Sequence, residues 1–462
     1  VNVAARLQQA SAPGAVIVGP GTYAATRDLI EYEELEPVIL KGKELPLAIW
    51  RAAAVRTRRG GQRPVLGLEA PLVGRNEELS LLKETVRRTV AEGRPHLVTV
   101  LGSAGVGKSR LTWELEKYLD GLPEVFHWRK GRCLAYAQAS YSALADAVAA
   151  DASILDDEPA EAAVAKLRQR LATLADGTSP EDVLAGVRAV LGLGSSGADL
   201  GREELFEACR VYLDLVARRA PLVLVLEDIH WADEGLLDLV EFLARWGEGP
   251  MLILCLARHE LLERRAAWSG GLPNAATIVL EPLDADENAQ LIGGLLRGEV
   301  SDGLRQRIAD VAEGNPLFTE ELIRLFVDRG VIRYSSDRWQ QARPLDESEV
   351  PGSIHALLAA RLDSLPAEEK RLGQDAAVVG RIFWDSVVAH LAGAPPATTG
   401  SLLRRLRVKE LIVPREPSSL SDAAEFGFRH VLIRDVAYES LPKLERARKH
   451  REVARWAEDR LG

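Results

Sequence analysis

The chain has 462 residues, 47% of them hydrophobic and 27% charged, with a formal net charge of −10. That is the balance of a globular protein of about three domains, and an acidic whole argues against broad nucleic-acid binding. Three cysteines, Cys133, Cys209 and Cys255, stand too far apart for a disulfide framework or a zinc spacing, and the longest apolar runs are too short to span a bilayer. A cytoplasmic protein without a membrane partner is therefore expected. The chain opens on Val1 with no methionine and no signal-peptide pattern, and reads as a fragment of a longer protein.

Residues 1–55 read as the end of an α+β domain, with a helix at 2–9 and short strands at 15–18, 38–40 and 47–51. This piece is too short to close a core and reads as a remnant. Residues 56–70 are a linker, basic and glycine-rich at its start. Over 71–283 strand and helix alternate, the mark of a parallel sheet with covering helices. Strands are predicted at 97–101, 125–130, 222–226, 251–257 and 277–280. The 222–226 strand is apolar throughout, so both its faces should be buried. An Ala-rich helical stretch covers 147–201.

From Asp284 the pattern turns almost wholly helical. Asp284 caps a helix running to 296, and Gly314, Asn315 and Pro316 open another, within a helical subdomain at 284–349. The region 350–462 predicts helices at 354–365, 368–379, 384–391 and 401–411, a hairpin pairing 412–414 with 425–428, and a charged helix at 444–461. Helices followed by a hairpin make a winged-helix pattern.

The strongest chemical signal is the run Gly102, Ser103, Ala104, Gly105, Val106, Gly107, Lys108, Ser109. It matches GxxxxGK[ST] between a predicted strand and a predicted helix. The glycines let backbone N–H groups curl around phosphates, and the helix N-terminus adds favourable partial charge. Lys108 should reach the β and γ phosphates, and the Ser109 hydroxyl should ligate Mg2+. The fold class is thus an α/β P-loop NTPase followed by an all-helical, winged-helix region, and the cofactors expected are ATP and Mg2+.

Glu227 and Asp228 end the most apolar strand. One would hold the Mg2+ shell and the other polarise the attacking water. The order Glu-Asp leaves their roles unassigned, and Asp228 also reads as a helix N-cap. His230 reads as a packed or switch residue rather than a metal ligand. Arg258, at the end of the next strand, reads either as a γ-phosphate sensor or as a surface arginine. Val73, Gly74 and Arg75 precede the first helix and are placed to touch adenine. Pro316 either closes over the base or simply starts its helix. The basic run 404–409 reads either as facing DNA phosphate or as a solvated helix face that docks on the ATPase domain.

Together these features resemble the STAND class of signal-transduction ATPases, the bacterial AAA_16-like proteins often fused to cyclases. The resemblance runs from residue 71 to the end. It rests on 72–79, the phosphate loop, 226–233, 314–318 and 428–438. Such proteins often continue into helical repeats, so the C-terminus also reads as truncated.

The N-terminal piece resembles the tail of a class III adenylate/guanylate cyclase, through residues 1–7 and 40–43. Asn2 and Arg6 are one helical turn apart, so their side chains can both meet one ligand or simply cap and solvate a surface helix. The resemblance implies that Asn2 orients the ribose, Arg6 stabilises the transition-state phosphate and Lys41 contacts the triphosphate. It also implies metal-binding aspartates upstream, an upstream cyclase half and a second cyclase chain as partners. The expectation is an ATP-dependent switch joined to a cyclase that makes cyclic AMP only when complete. The alternatives are a transcriptional regulator with a DNA-binding winged helix or further domain, and a scaffold that binds ATP without much turnover.

Overall fold

The chain divides into two units, residues 1–62 and 63–462. The computed structural model describes residues 16–18, 30–38, 47–55, 71–133, 140–174, 180–193, 200–335, 338–346, 350–415 and 418–461. In the first unit β1 (Ile17–Val18), β2 (Ile30–Val38) and β3 (Leu47–Val55) form an antiparallel sheet in the order β1-β3-β2. The strand expected at 38–40 is instead β2, ending at Val38. It carries four glutamates, a composition poor in strand propensity, and pairing with β3 overrides it. The helix expected at 2–9, the linker at 56–70, and Asn2, Arg6 and Lys41 lie outside the described residues.

In the second unit α1 (Asn76–Glu92), β4 (His96–Gly102), α2 (Lys108–Asp120) and β5 (His127–Arg132) follow in turn. Four helices come next: α3 (Ser142–Ala152), α4 (Ala160–Leu174), α5 (Pro180–Val190) and α6 (Arg202–Arg219). Then β6 (Leu222–Glu227), α7 (Glu234–Trp246), β7 (Met251–Ala257), α8 (Glu260–Arg264) and β8 (Ala275–Leu280) complete the sheet region. The five strands are all parallel, in the order β5-β6-β7-β4-β8. Side chains alternate across a strand. Leu222, Leu224 and Leu226 therefore join the core beneath α3, α6 and α7, while Val223 and Val225 join the one beneath α1 and α2. β5 begins two residues later than expected, leaving Val125 71% exposed.

Beyond the sheet, the chain is less purely helical than its sequence pattern. α9 (Ala285–Leu295), β9 (Gly298–Glu299), α10 (Asp302–Ala312) and α11 (Pro316–Asp328) lead to the hairpin β10 (Ile332–Ser335) and β11 (Arg338–Gln341). β9 adds to β11 in parallel. Then come α12 (Ile354–Asp363), α13 (Ala367–Val379), β12 (Ile382–Trp384), α14 (Asp385–Ala392) and α15 (Pro396–Val408). β13 (Ile412–Arg415) and β14 (Glu425–Phe428) precede α16 (Val431–Glu439) and α17 (Lys443–Leu461). The hairpin expected at 412–428 gains a third strand, in the order β12-β14-β13. Among the described residues, no helix is long and apolar enough to cross a membrane.

Candidate nucleotide site

β4 lies inside the sheet between β7 and β8, and its C-terminal end opens into the phosphate loop. Gly105 and Gly107 adopt φ of 84° and 110°, left-handed values that a side chain would resist. A Cβ on Gly107 would meet nothing within 4 Å, so the cradle is open at that point. Val106 anchors the loop in the sheet core, while Ser103 and Ser109 are exposed. Lys108 Nζ donates to the carbonyls of Gly102 at 2.6 Å and Ser103 at 2.9 Å. Burial pushes this ammonium down to about 8; Asp228 pulls it back up and Arg258 adds to the drop.

The two carboxylates differ in their surroundings. Glu227 is 3% exposed and pairs with Lys130 at 2.8 Å and with Arg132, both from β5. Those cations, with Arg381, hold its carboxyl well below the usual range against the opposing effect of burial. Asp228 is more open and adopts φ 58°. Its Oδ2 accepts from Arg381 Nη1 at 3.2 Å and lies 3.6 Å from Arg132 Nε. Its side chain caps no helix; the cap of α7 is Asp233, which accepts from Leu236 N at 2.7 Å.

His230 is buried, and its Nδ1 accepts from the Arg258 backbone at 3.4 Å. Burial, offset in part by Asp228, takes it down to about 4, so it is neutral at physiological pH. Arg258 is partly buried at the end of β7, the strand between the phosphate loop and the carboxylates. Lys108, Asp228, His230 and Arg258 thus share one electrostatic neighbourhood.

Val73, Gly74 and Arg75 lie by the end of β8, whose Leu280 pairs with Gly102 of the phosphate loop. Arg75 donates to the Glu281 carbonyl and pairs with Glu78 at 3.4 Å, and Val73 packs on the core around α9 to α11. Gly74 has φ 64°, and a Cβ there would fall 2.3 Å from the Glu287 carboxylate. Pro316 is the first residue of α11. Its neighbour Asn315 makes the contact with the phosphate loop, donating through Nδ2 to Ala104 O at 3.0 Å. Leu317 N adds a bond to Gly105 O at 3.4 Å. A side chain on Gly105 would collide with Asn315 Oδ1, 2.6 Å from the Cβ position.

The basic run ending α15 turns partly inward. Lys409 pairs with Glu369 of α13 at 2.7 Å, and Arg405 lies 3.8 Å from the same carboxylate. It docks within its own region rather than on the sheet.

The loop, the charged lysine and the strand-end carboxylates fit a polyphosphate. Among the described residues, no group of three or more His, Cys, Asp or Glu side chains could hold a metal ion alone. Ser109 and the strand-end carboxylates are the oxygen donors nearest the loop that could hold Mg2+ beside a nucleotide.

Residues 71–254 match the family model AAA_16, described as an AAA ATPase domain. The region is a P-loop ATPase domain on an α/β NTPase fold. The chain is also 26% identical to an uncharacterised protein of Rhizobium meliloti, over 98% of this chain and 43% of that protein. Among solved structures it resembles a signal transduction ATPase with numerous domains (STAND) carrying a tetratricopeptide repeat sensor, from Pyrococcus horikoshii. That match has 14% identity and a TM-score of 0.46, and covers 86% of this chain and 46% of the other. It also resembles Aeropyrum pernix ORC1 in complex with DNA, with 14% identity, a TM-score of 0.37, and 82% and 95% coverage. The chain spans less than half the length of the Rhizobium and Pyrococcus proteins.

The candidate site also draws on residues with little or no sequence signal: Lys130, Arg132, Asn315 as a loop contact, and Arg381. Lys130 and Arg132 carry a faint signal, two cations at the end of a strand adjoining the carboxylate strand. Arg381 lies 153 residues from its partner and carries none.

Proposed function

We propose that the chain is a STAND-type ATP-dependent signalling switch, with the nucleotide domain at 71–283, a helical subdomain at 284–349 and a winged-helix region at 350–462. The observation that carries this is the pair of contacts from downstream elements onto the nucleotide machinery: Asn315 on Ala104 and Arg381 on Asp228. Elements that touch the phosphate loop and the carboxylates respond to what those groups bind. In this reading Gly102 to Ser109 cradle the phosphates, and Lys108 exchanges its two loop carbonyls for phosphate oxygens. Ser109 and one of Glu227 and Asp228 serve Mg2+, and Arg258 meets the γ-phosphate. Asp228, the more open carboxylate, is the one suited to work at the nucleotide, with Glu227 fixed behind it by Lys130 and Arg132.

The N-terminal residues form the end of a class III cyclase domain, in which Asn2, Arg6 and Lys41 act on substrate once the upstream half and a second chain are present. This rests on sequence resemblance alone. A cytoplasmic setting follows from the same reading. The test of the switch begins with binding. Losing a charged hydrogen bond to phosphate costs about 1.5–3 kcal/mol, so Lys108→Ala should weaken ATP binding roughly ten- to more than a hundredfold. Equal ATP affinities by calorimetry would overturn the assignment.

A further inference from the structure

The basic run of α15 takes no part in the nucleotide site. α14 and α15 are joined by the turn 393–395, in which Gly393 adopts the left-handed conformation at φ 58° and closes α14. Two helices linked by so short a turn with a glycine form a helix-turn-helix pair. Thr399, Leu402, Leu403 and Leu406 are buried, the leucines in one core with Val388 of α14. The other face leaves Ala397, Thr398, Arg404, Arg405, Arg407 and Val408 exposed. α15 holds three arginines and no carboxylate, in a chain of net charge −10. Arg405 lies 3.8 Å from Glu369, which Lys409 already pairs at 2.7 Å. Among the described residues, Arg404 and Arg407 enter no ion pair. The helix dipole favours cations in a last turn. Arg404 and Arg407 are nonetheless neighbours on the helix surface that repel each other, a cost that an external anion offsets.

We propose that α15 is a recognition helix that lies in the major groove of duplex DNA, a function separate from the nucleotide switch. A helix with its side chains is about 10–12 Å across, and the major groove is about 12 Å wide. The small side chains Ala397 and Thr398, at the amino end of the exposed face, let that end enter the groove. Arg404, Arg405 and Arg407, farther along, meet backbone phosphates. The acidic remainder of the chain repels DNA, so contact is confined to this face. The neighbouring hairpin does not share it. Between β13 and β14, Ser419 O accepts from Asp156 N at 2.8 Å, and Ser421 N donates to Asp157 Oδ2 at 2.9 Å. Those bonds commit the connection to the turn between α3 and α4. Three arginines, each neutralising one phosphate, give a slope of about −2.7 for log affinity against log salt concentration.

The test is fluorescence anisotropy of a labelled, mixed-sequence DNA duplex of about two helical turns, titrated with the 462-residue chain. Between about 50 and 200 mM salt the wild-type affinity should fall roughly fortyfold. The double variant Arg404→Gln/Arg407→Gln should bind about tenfold or more weakly at the lowest salt, and its slope should shrink to about −0.9. Its urea midpoint should match wild type, because both side chains are exposed and unpaired. Ala397→Glu sets a carboxylate against the groove and should also weaken binding, again with the urea midpoint kept. An RNA duplex of the same sequence should bind at least about tenfold less, since its deep, narrow major groove is closed to side chains. The proposal is overturned by no DNA binding at low salt, by a slope unchanged in the double variant, or by wild-type affinity in Ala397→Glu. DNA and RNA duplexes bound alike also overturn it and leave a general polyanion patch.

Discussion

Lys108 spends its charge before any ligand arrives. It sits in a largely buried loop with its ammonium held by two neutral carbonyls, and its pKa falls to about 8. A polyphosphate beside it restores the charged form, so ATP binding near pH 8 to 9 should take up protons, and affinity should fall as pH rises through about 8. Calorimetry in buffers of different ionisation enthalpy reads the uptake, which should vanish in Lys108→Ala. In the ligand-free chain the sign for folding is opposite. A lysine depressed on folding binds fewer protons than its unfolded form, so its contribution to stability grows from about pH 8 towards 10.5. The carboxylates should separate in the same manner. Glu227→Gln strands Lys130 and Arg132 and should cost about 3–5 kcal/mol of stability, whereas Asp228→Asn should cost clearly less, by denaturant titration, and act chiefly on turnover. Equal costs would mean that the two positions are not distinguished as their surroundings indicate. The pattern Gly102 to Ser109 was legible because eight consecutive residues carry it. The cations that control Glu227 and Asp228 were not, since charge pairing across strands and across 153 residues leaves no local periodicity.

At the scale of elements, α11 carries an unusual load. Its first residues touch the phosphate loop, and farther along it bears Glu320, Glu321 and Arg324, all buried. Glu321 pairs with Arg324 and with Arg361 of α12, while Arg324 reaches Glu410 at 2.7 Å and Glu410 meets Arg429 at 3.2 Å. The arginines hold Glu321 down to about 2 despite its burial. Glu321→Ala leaves two largely buried arginines short of a partner, and should destabilise the chain by about 3–5 kcal/mol. Urea unfolding checks this, and a change below 1 kcal/mol would show that the network reorganises around the loss. The start of α11 was readable from Asn315 and Pro316, a cap and a first-turn proline whose chemistry is local. The hairpin β10–β11 was not. Its strands are four residues each, too short for alternation to declare itself, and the Tyr334–Trp339 pair that faces across it shows only once the register is known.

For the whole molecule, the parallel sheet was legible because its three inner strands, β6, β7 and β4, are apolar runs buried along their whole length. The three-stranded sheet that brings in Arg381 needs β12, a three-residue strand whose Trp384 had been read as helix. The chain as given should make no cyclic nucleotide. Cyclase chemistry on two metal ions needs anionic ligands, and in the proposed cyclase reading Asn2, Arg6 and Lys41 would supply positioning and positive charge only. Incubation with Mg2+ or Mn2+ and ATP or GTP, followed by assay of cyclic AMP and cyclic GMP, tests it; product above the background of an Asn2/Arg6 double variant would refute it. The geometry of α11 has a mechanical corollary. Thirteen residues of helix make a rod about 20 Å long, gripped at one end by the phosphate loop and along its length by ion pairs. A rod held this way has no slack. In the proposed reading, loosening the ion pairs at Arg324 should therefore reach the phosphate loop through Asn315 and Ala104 and weaken nucleotide binding at a distance.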